Sequence, residues 1–359
     1  MQKCVFLFSS FLFAISLSLN GQSWVIQLEN PINTAFPFLT VTPDAGISGM
    51  GDAGAATLSP GNVFINASAN AFIPDSAGMA LDYKRSGNAL LGLNGYKRKG
   101  NSVFAGGLRY SSLGGTTVVT NFGSTVQTSS NFEMALDANY VCKLTRNFAM
   151  GASVRYVYTT LSRGSIINGI EIKPVNAVVG DISMMYRTPI PTGRRESQLG
   201  LGLVLANLGG KVDYGYPGYQ LFVPSMMRFG VSLETPTSAG SSFAIAVELR
   251  KLLVPTISIS EDAGLDAMIG SFNDAPGGWE EELHEVTIGT GLEYRFEQRI
   301  FFRGGYFYEH PTKGGRTYYS LGSGFTYQNA ALNVAYRFYD STQTIVVDNT
   351  LSLTLSVKL

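Results

Sequence analysis

Only two cysteines and two histidines occur in the 359 residues, and charged side chains make up just 14% of them. The 26 Lys and Arg balance the 26 Asp and Glu, so no excess positive charge is present to neutralise a phosphate backbone, and nucleic acid is excluded as a partner. Cys4 lies in the first few residues, which leaves Cys142 alone in the rest of the chain, and neither an internal disulfide nor a multi-cysteine zinc site is expected. His284 and His310 sit near the same ends of neighbouring expected strands but have too few companions to hold a metal. Glu280, Glu281 and Glu282 read as a solvated loop face rather than a calcium site. No G-x-S-x-G nucleophile elbow and no Ser/His/Asp set can be assembled. The chain is therefore read as no enzyme, with no cofactor. After Leu19 no apolar stretch reaches the roughly twenty residues of a membrane-spanning helix.

What is present in quantity is glycine, 41 residues, together with 12% aromatics. That combination suits a large β-structure whose strands bend and whose interior accepts small side chains. The pattern is clearest from Val286 to Glu309. Ile288, Leu292, Tyr294 and Phe296 fall on one side of an extended chain, while Gly289, Gly291, Glu293 and Arg295 fall on the other, because successive side chains of a strand alternate between faces. The same alternation recurs in Met134 to Lys143, Met150 to Tyr158, Leu332 to Phe338 and Leu351 to Leu359. About fourteen such runs follow Gly78. The links between them also alternate. One set is short, and the other contains Gly114 to Ser130, Thr160 to Pro174, Gly209 to Ser225 and Lys251 to Leu283. Outer-membrane barrels have that parity, with short periplasmic turns and long extracellular loops. A soluble sandwich has no reason for it, and its outward face would be polar. The sequence thus predicts an all-β, transmembrane antiparallel barrel over residues 78–359, with its greasy face on lipid.

Before the barrel, Lys3 followed by an apolar run from Val5 to Leu19 reads as a secretory signal peptide over residues 1–21, with cleavage expected after Gly21. Residues 22–77 show no sustained period and are read as an N-terminal plug or periplasmic segment. Its glycines Gly49, Gly51 and Gly54 formally match a dinucleotide fingerprint, but no strand precedes them and no amphipathic helix follows. They are read as places where backbone packs closely. The loop Lys251 to Leu283 is too apolar for an idle exposed loop. Its Leu252, Leu253, Val254, Phe272 and Trp279 are singled out as partner-contact residues.

Five blocks carry a resemblance: F-P-F-L-T-V-T-P-D-A at Phe36 to Ala45, G-M-G-D-A-G-A-A-T at Gly49 to Thr57, K-L-L-V-P-T at Lys251 to Thr256, S-F-N-D-A-P-G-G-W-E-E-E-L-H-E at Ser271 to Glu285, and G-Y-F-Y-E-H-P-T-K-G-G-R-T-Y-Y-S-L-G-S-G-F at Gly305 to Phe325. Together they resemble the PorV (LptO) family of the Bacteroidetes type IX secretion system, which is related to FadL-type transporters with fourteen strands and an N-terminal plug. Family members usually carry an N-P-A-K-like block where Asn66 to Phe72 here reads N-A-S-A-N-A-F, a departure that points to altered plug contacts or cargo. The resemblance implies an outer-membrane shuttle. Such a protein meets an SprA/Sov-like translocon, binds the C-terminal signal domain of cargo and delivers it to a PorU-like sortase complex. The competing expectation is a FadL-like channel for a hydrophobic solute, with the glycine pairs Gly106-Gly107 and Gly304-Gly305 as possible sites of a lateral opening.

Overall fold

The computed structural model describes residues 30–119, 125–160, 166–167, 170–171, 174–193, 195–214, 220–238, 240–256, 264–339 and 349–359. The signal peptide expected over residues 1–21 lies outside them. Fourteen strands form the wall: β1 (Ala77–Ser86), β2 (Asn88–Lys99), β3 (Ser102–Val119), β4 (Thr125–Lys143), β5 (Phe148–Thr159), β6 (Val175–Thr192), β7 (Arg195–Leu208), β8 (Met226–Ser238), β9 (Ser241–Leu252), β10 (Thr287–Phe296), β11 (Ile300–Tyr308), β12 (Tyr318–Tyr327), β13 (Ala330–Tyr339) and β14 (Thr350–Lys358). Each pairs antiparallel with its neighbour in sequence, and β1 meets β14 in register from Gly78↔Lys358 to Arg85↔Leu351, which closes the barrel. Closure removes the edges that would leave backbone groups unpaired in lipid.

The side-chain period of two decides which residues face where. Leu81, Leu93, Phe104, Leu136, Val154, Ile182, Ile245, Leu292, Phe302, Leu321, Leu332 and Leu355 point outward and are exposed. Their inward neighbours Asp82, Arg109, Asp137, Arg155, Glu248, Glu293, Ser320 and Arg337 are buried. An apolar outer belt around a polar interior is the reverse of a water-soluble protein and the arrangement of a transmembrane barrel. The long connections, including Leu253 to Val286, lie at one end, and the short turns lie at the other, apart from the one-residue link at Gly87 between β1 and β2, which sits at the long-loop end. The tenth strand begins at Thr287, later than the sequence pattern places it, because residues Trp279–His284 form a helical turn.

Residues 30–76 fill the lumen. Asn30 donates to Glu281 at the long-loop end (3.1 Å), and the segment then descends through the 3-10 turn Pro37–Thr40, helix α1 (Ala45–Ser48) and the turns Pro60–Phe64 and Ala67–Phe72 to the start of β1 at the other end. The described part of the segment expected as plug or periplasmic tail therefore lies within the barrel rather than beneath it. The glycine-rich centre explains how it fits. A Cβ on Gly51, whose φ is +61°, would stand 2.4 Å from the Thr290 carbonyl oxygen and 2.5 Å from that of Tyr306. On the wall, a Cβ on Gly202 would stand 1.9 Å from the Ala55 oxygen, and one on Gly305 would stand 2.1 Å from the Gly51 nitrogen. Gly49, Gly51 and Gly54 are thus packing glycines. The wall glycine pairs do the same work rather than opening a lateral gap. Gly107 makes room for Phe64, and Gly305 for Gly51, while Gly304 faces outward with nothing within 4 Å.

Candidate functional site

Two features present themselves for function: the plugged lumen and the folded loop above it. In the lumen, charges placed inward by the strand period meet the plug directly. Glu248 of β9 accepts from the backbone N–H groups of Gly54 (2.8 Å) and Ala55 (2.6 Å), and from the guanidinium Nε of Arg228 (2.8 Å) and Arg250 (2.5 Å). Asp52 of the plug pairs with Arg337 of β13 and accepts from the Tyr318 hydroxyl of β12 (2.7 Å). Thr354 of β14 accepts from Ala45 N (2.8 Å), Lys84 of β1 donates to the Thr42 carbonyl (2.7 Å), Ser232 of β8 to that of Ala56 (2.7 Å), and Ser68 of the plug to that of Ser183 in β6 (3.0 Å). Strands on every side of the barrel hold the plug through buried polar contacts. These are costly to break, because each partner left behind stays desolvated. Above the plug a cavity of about 710 Å³ remains, lined by Phe38, Leu90, Arg250, Phe307, Tyr318 and Arg337 among others.

The loop between β9 and β10 is not loose where it is described. Helices α2 (Leu265–Gly270) and α3 (Trp279–His284) cap the barrel mouth; residues 257–263 lie outside the described residues. Two lysines clamp it. Lys251 donates to Glu282 (2.9 Å) and Glu285 (2.5 Å), and Lys313, from the 3-10 turn Pro311–Lys313 after β11, donates to Glu281 (2.5 Å) and Glu285 (3.1 Å). The rings of His284 and His310 stack face to face with centroids 3.5 Å apart, tying α3 to the same turn. Two of the three glutamates weighed as a calcium face are therefore consumed by lysines, and the two histidines pair with each other. Among the described residues no group of three potential ligands gathers around a metal position.

The clamp is pH-dependent, with a sign that follows from its contacts. Burial pushes the Glu281 carboxyl up, but hydrogen bonds from Lys313, Asn30 and the Gly277 N–H outweigh it and hold the group below the ordinary glutamate range. Burial likewise raises Glu282, and Lys251 with the Ala275 and Asp274 N–H groups brings it down on balance. Carboxylates lowered in the folded state stabilise the clamp fully above their unfolded value of about 4.3. That contribution is lost as pH falls from there through the lowered folded values. In a Trp24→Phe background, the fluorescence anisotropy of Trp279 is expected to hold steady from pH 8 to about 5 and to drop on further acidification.

The clamp sorts the residues singled out in sequence into two groups. Leu253 and Val254 are buried, Val254 in a cluster with Phe222 and Ala267, and Leu252 packs beside Met226. Leu253 and Val254 hold the loop to the barrel and present no surface, while Leu252 is half-buried at the end of β9. Phe272 and Trp279 are exposed, Trp279 at 72%, and sequence reasoning missed the residues beside them: Leu265 at 71%, Ile269 at 71% and Leu283 at 53%. The spacing of Leu265 and Ile269, four apart, was the available signal for one face of a short helix. The result is an apolar ledge on a braced support at the long-loop mouth of the barrel.

Comparison with known proteins adds three findings. A family model described as "Type IX secretion system protein PorV" matches residues 25–259. No curated protein matches the chain. Among solved structures, the P. putida toluene transporter TodX aligns at a TM-score of 0.54 with 12% identity, covering 87% of this chain and 97% of that one. A CymD monoaromatic hydrocarbon channel aligns at 0.52 with 13% identity, covering 90% and 98%. A Pseudomonas aeruginosa FadL homologue follows at 0.46 and 12%, covering 89% and 98%. At such identities the first two likenesses speak to the fold alone.

Proposed function

Since the chain belongs to the PorV family of type IX secretion system proteins, we propose that it is a lipid-embedded shuttle of that system, exported by its signal peptide to the outer membrane. It would receive the C-terminal signal domain of a secreted cargo at the SprA/Sov-like translocon and deliver it to the PorU-like sortase complex. The observation that carries this reading is the ledge of Leu265, Ile269, Phe272, Trp279 and Leu283, exposed on a loop that is itself clamped by Lys251 and Lys313. Apolar side chains held in water on a rigid support mark a surface that another protein covers. The barrel beneath moves in the plane of the membrane, so a complex formed at the translocon can travel without leaving lipid.

A second reading has one observation of its own. The cavity of about 710 Å³ above the plug and the fold shared with hydrocarbon channels fit passage of a small hydrophobic solute. The buried hydrogen bonds from strands around the barrel, with the Asp52–Arg337 ion pair, fix the plug and weigh against it. Deleting residues 254–279 separates the two. Under the shuttle reading, signal-bearing cargo no longer reaches the surface while the barrel stays heat-modifiable on gels. Under the channel reading, cargo still arrives and uptake of the solute changes.

A further inference from the structure

The charge on this protein is unevenly placed. The short-turn end carries Lys97, Arg98 and Lys99 at the end of β2, Lys143 at the end of β4, Arg146 in the turn before β5, and Arg195 at the start of β7, against the single exposed carboxylate of Glu196. Backbone hydrogen bonds stitch these turns into one arc: Arg98 N to Ser76 O, Lys143 N to Asn101 O and Arg187 N to Asn147 O, each 2.7 Å. The opposite half of the rim is close to neutral. The β8–β9 link has no charge from Pro236 to Ser241, Glu297 sits beside Arg299 between β10 and β11, and Lys358 pairs with Asp75 at 3.1 Å.

Within the arc, the direction of the side chains narrows the partner. Along β2, Leu91, Leu93, Lys97 and Lys99 occupy the outward face, while Gly92, Asn94 and Tyr96 are buried inside. The two lysines thus continue the lipid-facing row just below the apolar belt. In register, Lys97 stands opposite Phe104 and Lys99 opposite Ser102. Phe104 packs at a tilt against Tyr140 with centroids 5.4 Å apart, and the Tyr140 hydroxyl bonds to Ser102 at 3.1 Å. An exposed aromatic pair with a polar tip marks the depth where acyl chains give way to headgroups. Lys97, Lys99 and Arg146 make no ion pair among the described residues.

We propose that this arc is a binding site for anionic phospholipid of the periplasmic leaflet, with Lys97 and Lys99 holding the headgroup phosphate, Arg146 beside it in the adjoining turn, and Phe104 and Tyr140 against the upper part of the acyl chains. A soluble acidic protein would meet cations at the tips of the turns. It has no access to the lipid-facing side of β2, which is where Lys97 and Lys99 lie.

The test is native mass spectrometry of the full-length barrel, released from neutral detergent after incubation with an equimolar mixture of phosphatidylglycerol and phosphatidylcholine. The wild type is expected to retain phosphatidylglycerol preferentially. The variant Lys97→Gln/Lys99→Gln/Arg146→Gln should lose that preference, by about fivefold for each cation removed. Lys97→Arg/Lys99→Arg should keep it, and Arg299→Gln, on the neutral half of the rim, should leave it unchanged. Heat-modifiable migration confirms that each variant is folded. Equal retention of the two lipids by the wild type would overturn the proposal. So would an undiminished preference in the triple variant, whether or not an acidic protein still binds the turns.

Discussion

Glu248→Gln is expected to unseat the plug. The carboxylate is fully enclosed and serves four donors at once: two plug N–H groups and the guanidinium groups of Arg228 and Arg250. Glutamine keeps the shape but removes the charge, leaving two buried guanidinium groups with no anion between them and turning an NH2 donor toward groups that are themselves donors. Breaking a buried pair by neutralising one partner costs about 3–5 kcal/mol, and here the loss falls on the contact that fixes residues 54 and 55 to β9. The temperature at which the barrel loses its heat-modifiable migration should fall sharply. Proteolysis from the periplasmic side should newly cut between residues 40 and 77. Glu234→Gln is the control. Its pairs with Arg187 and Arg295 are partly exposed, where ion pairs contribute about 0–1 kcal/mol, and little change is expected.

The second large effect is functional. Trp279→Ala combined with Phe272→Ala removes the two aromatic members of the ledge and leaves the lysine–glutamate pairs that hold the loop in place, at the cost only of the distant contact of the Lys251 ammonium with the Phe272 ring. Buried aromatic anchors at protein interfaces are worth about 2 kcal/mol or more each when truncated, so affinity for the covering partner should drop by at least about thirtyfold for each. Secretion of signal-bearing cargo should fall accordingly while the amount of folded barrel in the membrane is unchanged. Leu253→Ala and Val254→Ala should act differently. Both side chains are buried, so their truncation loosens the loop, lowers the stability of the clamp and affects cargo only as a consequence.

That contrast shows where the sequence was readable. The wall was legible residue by residue, because a period of two assigns Leu292 to lipid and Glu293 to the lumen without any knowledge of neighbours. The parity of link lengths then gave sidedness. The loop was not legible in the same way. K-L-L-V-P-T has no period to say which of its apolar residues turn inward, and what decides it is Phe222, a residue some thirty positions earlier that packs on Val254. The plug lay between these cases. Gly49 and Gly51 announced close backbone packing, yet the backbone they pack against belongs to β10, β11 and β12 and nothing local to the plug names it, whereas Gly54 packs on Ile47 and Ile65 within the plug. The stacked histidines fall in the same class: their placement near the same strand ends was legible, but not that each occupies the other's face. The basic arc was hidden by arithmetic, since a balanced total of 26 and 26 conceals a positive periplasmic rim.

Site-specific photo-crosslinking at position 279 in intact cells tests the central claim most directly. A photoreactive residue replacing Trp279 should join the protein to the translocon or to a cargo signal domain, while the same residue replacing the lipid-facing Leu321 should not. Crosslinks from position 279 that reach only lipid, or none at all while cargo is being secreted, would contradict the account.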